Sequence, residues 1–199
     1  MTSRIECFWM VPTTSVQRSL RRYVFNKAEN GLEKCSSRYE YHNASNLLDV
    51  MEVPLDQLLI CGDGTPNETS PWVAHDHLSW PIHCECGYEF KASDEWQVNL
   101  DRLYEGTKGR FTIDGMPPGA MYDAEWYKIE AGYGVGSDGV ALCVKLPPGR
   151  EWDVWHVDGI GKASSRWDRV GTIPKITATP SILTPDYHGF LRDGWLEEC

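Results

Sequence analysis

The 199-residue chain has no apolar stretch long enough to cross a bilayer. Nothing at its start reads as a signal peptide either. Met1-Thr2-Ser3-Arg4-Ile5-Glu6 has no apolar run behind it, and Arg18, Arg21 and Arg22 follow soon after. The expectation is a protein that is neither secreted nor attached to a membrane. Cationic side chains are scarce, 19 Lys and Arg against 29 Asp and Glu, for a net charge of −10. That balance excludes direct nucleic-acid binding through a broad basic face. No Gly-x-Ser-x-Gly run surrounds Ser79 or Ser181, so no serine nucleophile elbow is present. The run Gly132-Tyr133-Gly134-Val135-Gly136 precedes a hairpin pattern rather than joining a strand to a helix, which makes it poor as a nucleotide loop. Internal repeats and low-complexity tracts are absent as well.

What is present is aromatic and thiol chemistry. Nine tryptophans supply large buried area and polar handles, as in β-rich cores and binding surfaces. The seven cysteines are odd in number and lack an export signal, so they read as thiols. Cys7, Cys61 and Cys143 sit in apolar runs and read as small buried hydrophobes.

Periodicity gives a β-heavy, mostly antiparallel α+β fold with one or two helices near the N-terminus. Residues 4–11 read as a strand ended by Pro12. Val16, Leu20, Tyr23 and Val24 have helical spacing, which predicts a helix over 16–28 capped by Thr13 or Thr14. Residues 94–103 are helix-compatible, and the glycines and prolines of 106–122 read as a long loop. Asp138-Gly139 predicts a hairpin over 135–146, with a further strand over 151–157. Turns at Pro185-Asp186 and Asp193-Gly194 bracket a strand at 188–191. The length fits a single domain, 1–199, with an N-terminal subdomain at 1–66 and a metal-site and hairpin region at 67–199.

The densest chemistry lies between His75 and Cys86. His75, His77, His83, Cys84 and Cys86 fall within twelve residues, and imidazole and thiolate are the donors zinc prefers. In Cys84-Glu85-Cys86-Gly87 the glycine permits the tight turn that chelation by both sulfurs requires. Plain strand alternation would also put Cys84 and Cys86 on one face, and His75 and His77 on another, with no metal involved. A tetrahedral site needs two further ligands, for which His83, His156, His75 and His77 are candidates. Three protein ligands would leave a place for activated water, with Glu85, Asp76 or Asp153 as base; four would close a structural site.

Two runs carry a resemblance. Gly136-Ser137-Asp138-Gly139-Val140-Ala141-Leu142 with Leu146-Pro147-Pro148-Gly149-Arg150-Glu151-Trp152 is one. The ending is the other: Trp167-Asp168-Arg169-Val170-Gly171, Pro180-Ser181-Ile182 and Tyr187-His188-Gly189-Phe190-Leu191-Arg192-Asp193-Gly194. They resemble uncharacterised proteins of actinobacterial phages and their hosts. Cys84-x-Cys86-Gly87 and the Pro-Ser-Ile…His ending are also loosely similar to a broader bacterial family of suspected metal-binding proteins of unknown function. The likeness covers residues 80–199. It implies a phage setting, in the host cytoplasm or the virion, and it makes His188 the first choice for a third ligand, ahead of His83. The family places a cysteine shortly before the final histidine, where this chain has Pro185-Asp186-Tyr187. Three functions follow as expectations. One is an accessory or virion-associated protein with a structural zinc site and a protein-binding surface. The others are a metal-dependent hydrolase and an acidic inhibitor of a host protein's basic site.

Overall fold

The computed structural model describes residues 4–24, 35, 41–53, 73, 76–125, 135–136, 138–147, 154–156, 168–184 and 187–199. Twelve strands run through them: β1 Arg4–Glu6, β2 Phe8–Val24, β3 His42–Glu52, β4 Glu95–Gly106, β5 Gly109–Phe111, β6 Ala120–Asp123, β7 Leu142–Lys145, β8 Val154–His156, β9 Asp168–Thr172, β10 Lys175–Leu183, β11 His188–Arg192 and β12 Trp195–Glu198. Among the described residues there is no α-helix, and none is long and apolar enough to cross a membrane.

The expected α+β class is therefore corrected to a β fold. The helix read over 16–28 is strand β2 as far as Val24, and residues 25–28 lie outside the described part. The misreading has a physical cause. Val16, Leu20 and Val24 recur at i, i+4 and i+8, which satisfies the two-residue period of a strand as well as the 3.6-residue period of a helix. Pairing decides between them. Residues 15–24 form an antiparallel ladder with β3, from Ser15 opposite Glu52 to Val24 opposite His42, interrupted by one bulge after Arg18. Pro12 does not end the strand. It lies between the β6 pairing, which stops at Trp9, and the β3 pairing, which starts at Ser15, so its missing N–H costs neither. The helix-compatible stretch 94–103 is likewise strand, in β4.

The chain forms two compact units, one of Met1–Thr13 with Tyr104–Cys199 and one of Thr14–Leu103. Strands β2 and β4 contribute residues to both.

In the first unit, a five-stranded sheet has the order β1-β12-β11-β10-β9, each neighbour antiparallel. Asp193 and Gly194, at φ 44° and 76°, close the two-residue hairpin between β11 and β12. The start of β2 pairs in parallel with β6, and β6, β7 and β8 follow as antiparallel neighbours. All four residues of β7 are buried, because both of its faces are covered. Met121, Leu142 and Val144 pack against Ile176, Ile182, Leu191 and Leu196 of the five-stranded sheet. Tyr122, Ala141 and Cys143 alternate to the other face and pack with Phe8, Met10 and Tyr104. The Asp138-Gly139 turn forms, with Gly139 at φ 76° and the Gly136 N–H donating to the Val140 carbonyl at 2.9 Å, and β7 after it pairs with β6 and β8. The stretch 106–122, expected as loop, holds β5 and the start of β6.

The second unit rests on the β2–β3 ladder and two small apolar clusters. Leu20, Val73 and Trp80 form one, and Cys35, Cys84 and Phe90 form the other.

Two glycines of the first unit separate crowding from backbone strain. A methyl at Gly189 would meet the Glu197 carbonyl oxygen and the Tyr187 hydroxyl, whereas at Gly139 it would meet nothing within 4 Å. Gly189→Ala is expected to destabilise by about 1–3 kcal/mol through overpacking. Gly139→Ala is expected to cost only the left-handed penalty of about 1–2 kcal/mol. Urea denaturation of both variants reads the difference, and a larger loss for Gly139→Ala would contradict the packing described.

Candidate metal centre

Residues 82–90 build a small hairpin. The Phe90 N–H donates to the Ile82 carbonyl at 2.9 Å, His83 bridges Glu89, and the Cys84 N–H donates to the Tyr88 carbonyl at 2.9 Å. The Gly87 N–H closes the turn on the Cys84 carbonyl at 2.9 Å, with Gly87 at φ 91°. Glu85-Cys86-Gly87 is thus a three-residue loop whose last position is left-handed, a conformation glycine adopts without penalty. The turn brings the two sulfurs to the same side. Arg22 on β2 anchors the hairpin: its guanidinium donates to the Lys91 carbonyl and lies 5.5 Å from the Phe90 ring centre.

Cys35, His42, Cys84 and Cys86 offer one donor atom each, and these four atoms all lie within 4.8 Å of one another. The Cys35 and Cys84 sulfurs are 3.7 Å apart. That is far beyond a disulfide bond of about 2.05 Å. It matches the edge of about 3.8 Å for a tetrahedron with metal–sulfur bonds of about 2.3 Å. His42 Nδ1 stands 3.2 Å from the Cys86 sulfur, a few tenths of an ångström inside the corresponding edge. The cluster has the composition and spacing to hold a metal ion.

Two backbone N–H groups face the sulfurs. The Asn43 N–H points at the Cys84 sulfur at 3.4 Å, and the Tyr88 N–H bonds the Cys86 sulfur. Such donors stabilise thiolates, as the outer partners of metal ligands do. For Cys86 the Tyr88 hydrogen bond is the largest single influence and lowers the thiol pKa. Desolvation and the neighbouring Cys35 and Cys84 sulfurs outweigh it, so the net shift is upward. Three thiolates this close repel one another, and a bound cation removes that repulsion.

The imidazole is held in place from one side. The His42 ring, at the start of β3, stacks on Tyr88 with centroids 4.0 Å apart and an interplanar angle of 11°. The Tyr88 hydroxyl donates to Asp94 at 3.1 Å, and Asp94 also accepts from the Lys91 N–H at 2.7 Å. Asp94 thus positions Tyr88, and Tyr88 positions the imidazole. Burial, then the hydrogen bond to Asp94, pushes the Tyr88 phenol upward, which keeps it a neutral donor.

Of the residues read from sequence, Cys84 and Cys86 enter this cluster, and among the described side chains the other candidates do not. His83 is exposed beside Cys84. His77 is exposed, and its Nδ1 accepts from the Ser79 N–H at 3.2 Å. His188 is exposed on β11 and belongs to the first unit, whereas the four clustered residues belong to the second. His156 lies on β8 opposite Cys143. His75 and Asp153 are outside the described residues, and Asp76 and Glu85 are exposed. Sequence reasoning missed Cys35 and His42. One signal was available: Glu33-Lys34-Cys35-Ser36-Ser37 is polar, unlike the apolar runs around Cys7, Cys61 and Cys143.

No family model matches the chain, and no curated protein or solved structure matches it.

The geometry fixes the order of thiol reactivity. Cys86 and Cys199 are exposed, while Cys35 and Cys84 are buried. In the folded, reduced protein a maleimide is expected to label Cys86 at least about 100-fold faster than Cys84, whose sulfur opens only with local unfolding. Peptide mass spectrometry over time reads the order, and equal rates would contradict the buried position of Cys84.

Proposed function

We propose that this protein is a non-enzymatic binding protein whose second unit is held together by a structural zinc ion on Cys35, His42, Cys84 and Cys86. One observation carries the reading: the four donor atoms lie within 4.8 Å of one another, enough to close a tetrahedral shell with no place left for water or substrate. Thiolate and imidazole select zinc over hard cations such as magnesium or calcium. A closed Cys3His shell is a structural rather than a catalytic set.

The energetics support the same role. Among the described residues, the apolar clusters of the second unit are the two around Leu20 and Phe90. Structural zinc sites contribute apparent free energies of about 10–16 kcal/mol at neutral pH, enough to hold a unit whose described apolar clusters are small. The ion would cross-link the chain at Cys35, the first residue of β3 and the hairpin over 82–90. The same unit exposes Leu47 and Val50 on β3, Leu78 ahead of the hairpin and Ile82 at its start. Exposed apolar groups of this kind suit contact with a protein partner. The phage setting, as an accessory or virion-associated protein, rests on the resemblance of the C-terminal sequence.

Protein purified under reducing conditions is expected to carry about one zinc per chain by elemental analysis. Cys35→Ser and His42→Ala are expected to weaken zinc binding at least about 100-fold, while His83→Ala and His188→Ala leave it unchanged. A zinc-selective chelator is expected to lower the thermal midpoint of the second unit. Protein without metal, or zinc lost in His188→Ala, would overturn the reading.

A further inference from the structure

We propose that the cluster is a peroxide-responsive zinc switch, with Cys86 as the sensing thiolate and Cys35 as the resolving one. The inference rests on the zinc reading above and adds a regulation to it.

The three sulfurs differ in access. Cys86 is exposed, whereas Cys35 is 7% and Cys84 3% exposed. Metal coordination keeps thiols deprotonated at neutral pH, and oxidation follows thiolate character and access. A peroxide therefore meets Cys86 first. The partner follows from chain geometry. One residue separates Cys84 from Cys86, so a bond between them would strain the turn. Cys35 comes from a distant stretch, and its sulfur lies within 4.8 Å of the Cys86 sulfur.

The chemistry balances with hydrogen peroxide as oxidant. The Cys86 thiolate attacks one peroxide oxygen, the O–O bond breaks, and Cys86 becomes a sulfenic acid as hydroxide leaves. The Cys35 thiolate then attacks the Cys86 sulfur. The S–O bond breaks, the S–S bond forms, and a second hydroxide leaves. Two protons from solvent convert both hydroxides to water. The two sulfurs lose two electrons and the peroxide gains them. His42 and Cys84 remain, and two ligands do not retain the ion. A dithiol reductant returns both thiols and, with zinc present, the site.

The test uses the zinc-loaded full chain, hydrogen peroxide and a chromogenic zinc chelator. Zinc is measured before peroxide is added; a metal-free protein at that stage overturns the zinc reading itself. With zinc present, the expected result is release of about one zinc per chain, a Cys35–Cys86 disulfide by peptide mapping, and restoration by dithiothreitol with zinc. The double variant Cys61→Ser, Cys199→Ser is expected to release zinc as the unaltered chain does. Cys86→Ser, if it holds zinc, is expected to release it at least tenfold more slowly. Zinc retained through oxidation overturns the switch, as does a released form whose disulfide omits Cys86. The mapping on the unaltered chain decides the matter even where Cys86→Ser does not fold.

Discussion

Three thiols and one imidazole converge on a single point, and the local structure of the second unit is arranged around that convergence. The turn at Glu85-Cys86-Gly87 brings Cys84 and Cys86 to one side, and Gly87 at φ 91° is what allows so short a turn. Backbone N–H groups of Asn43 and Tyr88 face the sulfurs of Cys84 and Cys86. Tyr88 orients His42 and is itself held by Asp94. Without a cation, these features assemble mutually repelling thiolates or leave buried thiols with little to hold them. With one, each has a role.

The two units rest on different physics. In the first, strands β6 and β7 are covered on both faces, and an apolar layer joins them to the five-stranded sheet. Its stability follows from buried area. In the second, the apolar clusters among the described residues are small and much of β3 is exposed. Its most visible ion pair, Arg18 with Asp49 at 2.5 Å, lies at the surface, where such pairs contribute little. A metal cross-link on the proposed centre would supply there what the core supplies in the first unit.

How much of this could be read from sequence depends on range. Cys84, Cys86 and Gly87 were legible because their chemistry is local: one turn, one spacing, one glycine. The two-residue turn at Asp193-Gly194 was legible for the same reason. Cys35 and His42 were not, because they reach the cluster through folding across more than forty residues, and no local pattern encodes that meeting. His188 was favoured through a likeness at the far end of the chain, and it stands exposed in the other unit. The fold class failed on a single ambiguity. Val16, Leu20 and Val24 fit a helix and a strand equally well, and only the long pairing of β2 with β3 decides between them. The local pattern held no information about that partner.

X-ray absorption at the zinc edge on the purified, reduced chain reads the donor set itself. A Cys3His centre gives a four-coordinate ion with three sulfur neighbours at about 2.3 Å and one nitrogen at about 2.0–2.1 Å. A first shell containing oxygen, fewer than three sulfurs, or no bound zinc at all would contradict it.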